Sequence, residues 1–176
     1  MSKSILISAA LMSCAALSFA GNPQSPAAET SVAIAGKSIS IKYSAPSVRG
    51  RQIFGPGGLV SKDPTAPVWR AGADSATALH TDADLVINGL NVPAGDYTIF
   101  ILPTVNPWQL IINKQTKQWG LSYKSSEDLG RVPMNVSQPS APIETFKITL
   151  SPAGGKNGKL QMEWENVIAS VPFTVK

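Results

Sequence analysis

Apolar and polar positions alternate along most of this chain with the two-residue period of half-buried β-strands. Residues 38–43 alternate strictly and place Ile39, Ile41 and Tyr43 on one face. In residues 144–150, Phe146, Ile148 and Leu150 face one way, and Lys147 and Thr149 the other. Leu160, Met162 and Trp164 then alternate with Gln161, Glu163 and Glu165. Val167, Ala169, Val171 and Phe173 form a last apolar row of opposite parity. A tight hairpin at Glu165-Asn166 would return both rows to one face. Residues 77–81, 85–87, 108–113 and 132–136 read as further short strands. Residues 97–102 are apolar nearly throughout, which predicts a central strand buried on both sides.

Turn chemistry separates these segments. Asn88-Gly89 is the strongest short hairpin signal. Pro93-Ala94-Gly95-Asp96 and residues 154–158 are further turns, and residues 122–130 read as a loop or short helical turn. Residues 45–67 hold four prolines and four glycines and read as a long loop with at most one short strand. Loops of this length are commonly functional. Residues 22–30 are rich in Pro, Ser and Ala and read as a flexible leader. Among residues 21–176, the longest stretch without Gly or Pro is residues 73–88, 16 positions. Long helices and coiled coils are therefore excluded, because proline costs a helix interior about 3 kcal/mol and glycine about 1 kcal/mol. The pattern predicts an all-β protein, a single antiparallel β-sandwich (jelly-roll or Ig-like) of about eight to ten short strands with little helix.

The first 20 residues stand apart. Lys3 precedes the apolar run 5–12, and Ser18-Phe19-Ala20 offers small residues at −3 and −1 of a cut before Gly21. This is the pattern of a secretory signal peptide. Leu11-Met12-Ser13-Cys14 offers an alternative, a lipobox that would lipidate Cys14. Cleavage after Ala20 is preferred, because the residues after Cys14 stay apolar up to Ala20. The expected organisation is a signal peptide over 1–20, a flexible leader over 21–37 and the sandwich over 38–176. The expected location is periplasmic or secreted, with an outer-membrane lipoprotein as the alternative. No later stretch approaches the about 18 apolar residues of a membrane-spanning helix.

Charge narrows the partners. Without Lys3 the chain keeps 14 basic and 11 acidic residues, scattered rather than clustered. Nucleic-acid binding is not expected. With Cys14 removed there is no thiol, and His80 is the single histidine, so no metal site and no cofactor are implied. His80, Asp82 and Asp84 would share a strand face, yet nothing supplies a nucleophile, and a polar outer face accounts for them. Glu163, Glu165 and Glu144 leave open a carboxylate-dependent hydrolase acting on a glycan or other envelope substrate. Their spacing is also that of an exposed strand face. No catalytic residue is assigned.

The arginines are more informative. There are four, Arg49, Arg51, Arg70 and Arg131. Should the 45–67 loop fold over Trp69-Arg70, three would converge on a site for a small anionic ligand. The competing reading has them pin the loop to the sandwich through internal carboxylates. Trp164 and Trp108 read as core, and Trp119, beside Gly120, as exposed.

An ordered set of motifs carries a resemblance. Residues 43–55 read Tyr-Ser-Ala-Pro-Ser-Val-Arg-Gly-Arg-Gln-Ile-Phe-Gly, and residues 69–77 read Trp-Arg-Ala-Gly-Ala-Asp-Ser-Ala-Thr. Pro93-Ala94-Gly95-Asp96-Tyr97, residues 108–113, Trp119-Gly120 and Trp164-Glu165-Asn166 complete it. From about residue 38 to the end, the chain resembles the bacterial family called domain of unknown function 2911. The resemblance implies export and the domain extent, and no activity. It departs from the family pattern at Ala45, usually Arg, and at Ala71-Gly72-Ala73-Asp74, usually Thr-Gly-Ala-Asn. The overall expectation is an exported envelope protein that acts as a non-catalytic binding or structural module. Arg49, Arg51, Trp69 and Arg70 are its candidate contact residues, for a small anionic ligand or an envelope component.

Overall fold

The computed structural model describes residues 24–104 and 106–176. The expected signal peptide and Cys14 lie outside the described residues. Twelve strands are present: β1 Ala27–Ile34, β2 Lys37–Ser44, β3 Thr77–Thr81, β4 Leu85–Ile87, β5 Leu90–Val92, β6 Gly95–Leu102, β7 Gln109–Asn113, β8 Asp128–Pro133, β9 Asn135–Ser137, β10 Ile143–Pro152, β11 Asn157–Glu165 and β12 Val167–Val175. Single 3-10 turns occupy Val60–Lys62 and Ser125–Glu127. One sheet runs β1-β2-β3-β6-β7-β8 and the other β10-β11-β12-β4-β5, with β9 beside β4 on the same edge of β12. Every pairing is antiparallel.

The alternating residues become the sandwich core. Ile39, Ile41, Leu79, Ile99, Ile101, Leu110 and Ile112 come from the first sheet. They meet Phe146, Ile148, Leu150, Leu160, Met162, Trp164, Val171 and Phe173 from the second. Trp164 pairs with Val167 across a two-residue turn with Glu165 at φ 51°, so the parity change is resolved by the expected tight hairpin. Ile87 pairs with Leu90 across Asn88-Gly89 in the same way. Strand β6 is buried on both faces, since Phe100 and Leu102 join Val68, Ala76 and Ile111 in a smaller cluster on the sheet's other side.

Two expectations need correction. Among the described residues there are twelve strands rather than eight to ten. Residues 27–34 of the expected leader form β1, paired in full register with β2 from Ala27↔Ser44 to Ile34↔Lys37. As an edge strand β1 is half exposed, with only Ile34 buried, and so carries little apolar signal. It is held by backbone pairing, by Ile34 in the core and by Thr30 Oγ1, which accepts from the Leu150 amide at 3.2 Å. Its turn to β2 places Ala35 at φ 50°, a residue that does not advertise that conformation.

Candidate functional site

The site lies at one end of the sandwich, where the long loop folds back. Val48, Arg49, Gly50 and Arg51 form a tight turn closed by the Arg51 amide on Val48 O at 3.0 Å. Arg49 and Gly50 both take positive φ, 50° and 68°. The turn is docked on β10: the Val48 amide donates to Glu144 O at 2.8 Å and the Arg49 amide to Glu144 Oε1 at 2.9 Å. Farther along, Glu165 receives the amides of Ile53 at 3.1 Å and Phe54 at 3.4 Å. The loop then doubles on itself through the Leu59 amide to Gln52 O at 2.9 Å and the Val60 amide to Ile53 O at 3.0 Å. Gly58 permits this approach, because a Cβ there would lie 2.6 Å from Ile53 O.

Trp69 extends the first sheet by exchanging backbone hydrogen bonds with Ile101, at 2.8 and 2.7 Å. Trp69 as a whole is 4% exposed, and its ring stacks on Trp164 of the second sheet at 5.6 Å and 18°. Phe54 meets both indoles edge-on, and Phe146 packs against them as well. Contacts of this kind contribute about 0.5–1.5 kcal/mol per pair beyond area burial. Trp69 therefore belongs chiefly to the core and offers the site only part of its floor.

Above this floor is a cleft of about 350 Å³ bordered by Arg49, Arg51, Lys62 and Arg70, with Asp63 and Asp74 as the acidic residues. Three of the four arginines do converge. They play different parts. Arg70 donates from Nη2 to Asp63 Oδ2 at 2.5 Å, with side-chain exposures of 13% and 10%. Burial resists ionisation of Asp63, but the Arg70 hydrogen bond and those from the Thr65 amide and hydroxyl prevail and hold its carboxyl below the ordinary range. Arg70 Nη1 reaches Asp74 O at 3.3 Å, while its buried Nε has no hydrogen-bond partner among the described residues. Arg49 and Arg51 are exposed, and among the described residues they donate only to main-chain carbonyls: Arg49 to Gln24 O at 3.1 Å, Arg51 to Val48 O at 3.0 Å and Ser47 O at 2.7 Å. A guanidinium has five N–H donors, so most of theirs stay available.

Three of the seven non-glycine residues with positive φ among the described residues lie at this cleft. Arg49 and Asp74, which line it, and Ala71, next to Arg70, take φ values of 50°, 59° and 53°. Non-glycine residues in that region cost about 1–2 kcal/mol each, and such strain collects where function over-determines geometry.

The remaining candidates fall elsewhere. Arg131 donates to Asp128 at 2.8 Å and to the Tyr123 hydroxyl at 2.9 Å, fastening β8 to the preceding loop. Burial and Asp128 push the Tyr123 phenol up to about 12. His80 lies on the outer face of β3 between Asp96 at 2.7 Å and Asp82 at 2.9 Å, and Asp84 instead receives the Ala94 amide at 2.8 Å. Among the described residues no three or more His, Cys, Asp or Glu side chains are placed to hold a metal ion. Glu144 and Glu165 are spent on loop amides, and Glu163 accepts from Gln161 at 2.9 Å. None of these three carboxylates borders the cleft. Trp119 is 53% exposed, as expected. Trp108 is only half buried and lines a second cavity.

Sequence reasoning missed Lys62, Asp63 and Asp74. The first two lie in the loop flagged by its length, but a single lysine or aspartate there carries no pattern. No described helix is long and apolar enough to cross a membrane. Neither the curated proteins nor the solved structures contain a match. A family comparison does find one, and it spans the cleft residues from Ser25 to Trp164. The chain belongs to the DUF2911 family, described as proteins of unknown function, whose model matches residues 25–173.

Proposed function

We propose that this domain is a non-catalytic binding module that holds a small anionic ligand in the arginine-bordered cleft. The observation that carries the reading is the convergence of Arg49, Arg51, Lys62 and Arg70 on one concave surface, against only Asp63 and Asp74. Asp63 is consumed by Arg70, so the side chains left facing solvent are predominantly cationic. Arg49 and Arg51 present spare donors in a fork suited to a carboxylate, phosphate or sulfate. The strained backbone around them supports a functional role over mere loop fastening. Export to the envelope belongs to the same proposal and is supported by the signal-peptide pattern of residues 1–20. Mass spectrometry of the mature protein tests it: a chain starting at unmodified Gly21 fits a periplasmic or secreted protein, and a lipidated Cys14 fits the anchored alternative.

Calorimetric titration with inorganic phosphate, sulfate and citrate tests the site. The expected result is saturable binding of one equivalent of at least one of these anions. Arg49→Ala and Arg51→Ala each weaken it about tenfold or more, the value of a lost charge-assisted hydrogen bond. Their thermal midpoints stay near that of the parent. Unchanged binding in both variants, or a collapse in thermal stability, would show that the arginines merely pin the loop.

A further inference from the structure

On the other side of the Val60–Lys62 turn lies a larger cavity, about 720 Å³, bordered by Phe54, Pro56, Val60, Pro67, Pro103 and Trp108. Val60 borders both this cavity and the cationic cleft, whereas Lys62 borders only the cleft and Ser61 only the cavity. The two sites share a wall and differ in chemistry. No charged side chain among the described residues borders the larger one. Its polar side-chain groups are the hydroxyls of Ser61 and Thr104 and the indole N–H of Trp108, and the Ser61 hydroxyl is already donated to Gly58 O at 2.8 Å.

The walls are rings, and they are braced. Phe54 is fixed through its amide on Glu165 and by contacts with Trp69 at 5.8 Å, Trp164 at 6.0 Å and Trp108 at 4.9 Å. The proline rings cannot rotate into the space, because their φ is locked. A cavity bounded by flexible side chains would close by rotamer changes, but this one has little means to do so. Its lining side chains are mostly apolar, so water lying against them makes few hydrogen bonds to side chains. Replacing poorly ordered water with apolar surface is favourable. The volume falls within the range of about 300–1,000 Å³ typical of small-molecule sites.

We propose that this cavity is a second binding site, for an uncharged apolar small molecule that carries a ring system. The rings of Trp108, Phe54 and the prolines in the lining favour a ligand with rings of its own, because rigid ring atoms bring many contacts within dispersion distance at once. The absence of a charged partner excludes an ionised group inside the cavity. The proposal does not depend on anion binding at the cleft.

The test uses the uncharged fluorophore N-phenyl-1-naphthylamine. The folded protein should enhance its emission saturably at one equivalent, with energy transfer from tryptophan. Thr104 is exposed at the rim, so Thr104→Trp blocks the mouth without entering the core. Ser61→Phe fills the space from the Val60–Lys62 turn. Each should weaken the dye tenfold or more, with native circular dichroism confirming the fold. Arg49→Ala should leave dye affinity unchanged, which separates this site from the cleft. No saturable enhancement, or enhancement that survives both filling variants, overturns the proposal.

Discussion

Arg70 and Asp63 join the two walls of the cationic cleft, with Nη2 lying 2.5 Å from Oδ2 and both side chains largely out of solvent. Removing one partner of such a pair leaves an uncompensated charge, which is far more costly than the pair itself is stabilising. Arg70→Ala should therefore destabilise the domain by about 3 kcal/mol in urea denaturation at pH 7. The acid arm of the stability curve should change too. Because the folded Asp63 carboxyl titrates below its ordinary value of 3.8, its contribution is complete above that value. It is lost as pH falls through the folded value. In Arg70→Ala this part of the acid dependence should shrink, and a curve parallel to the parent's would contradict the assignment.

Arg49 sits at φ 50° in a turn where glycine would be unstrained. Arg49→Ala loses the guanidinium and keeps the backbone strain, whereas Arg49→Gly loses both. Arg49→Gly should thus be about 1 kcal/mol more stable than Arg49→Ala, while the two bind anions equally poorly. Equal stabilities would mean that the turn relaxes when the side chain is removed.

The strands that bury one face were legible because alternation is a direct imprint of burial. Residues 38–43, 144–150 and 160–173 show it most plainly. Strand β1 was not legible, since its stability comes from backbone pairing to β2 and its side chains mostly face solvent. At the site, Arg49, Arg51 and Arg70 stood out because arginine is scarce here and two of the four lie in one proline-rich loop. Asp63 did not, because its role depends on a contact with Arg70 seven residues away that only the folded loop creates. Trp69 misled in part. Its neighbour Arg70 drew it into the candidate set, yet stacking on Trp164 across the sandwich makes it core.

His80 should report its two carboxylates through a raised titration midpoint. The hydrogen bond His80 donates to Asp96 is the larger cause and that to Asp82 the second, and both favour the imidazolium. As the single histidine in the chain, it can be followed by NMR without assignment ambiguity. Its midpoint should lie above 6.5, falling more in Asp96→Asn than in Asp82→Asn. With the folded value raised, the stabilisation is complete below the unfolded value near 6.5 and fades as pH rises through the folded one. His80→Gln should remove that slope from the thermal midpoint. The effect should be small and salt-sensitive, because the pair is exposed.

Gly120 tests whether the position of Arg70 is built by the fold or merely tolerated. A Cβ at this residue would lie 2.3 Å from Arg70 Cδ and 2.5 Å from Asp74 O. The first neighbour belongs to a flexible side chain and can move aside. The second is main chain, and Asp74 O already receives the Gly120 amide at 3.0 Å and Arg70 Nη1 at 3.3 Å. Any retreat of that carbonyl loosens both hydrogen bonds and shifts the guanidinium away from Asp63. Gly120→Ala should then cost about 2 kcal/mol, within the usual range for overpacking. It should also weaken anion binding at the cleft, although residue 120 does not border it. Dye binding in the second cavity should be unaffected, because neither Gly120 nor Arg70 nor Asp74 borders it. A variant that loses stability but retains full anion affinity would remove Arg70 from the binding set and leave the ligand to Arg49, Arg51 and Lys62.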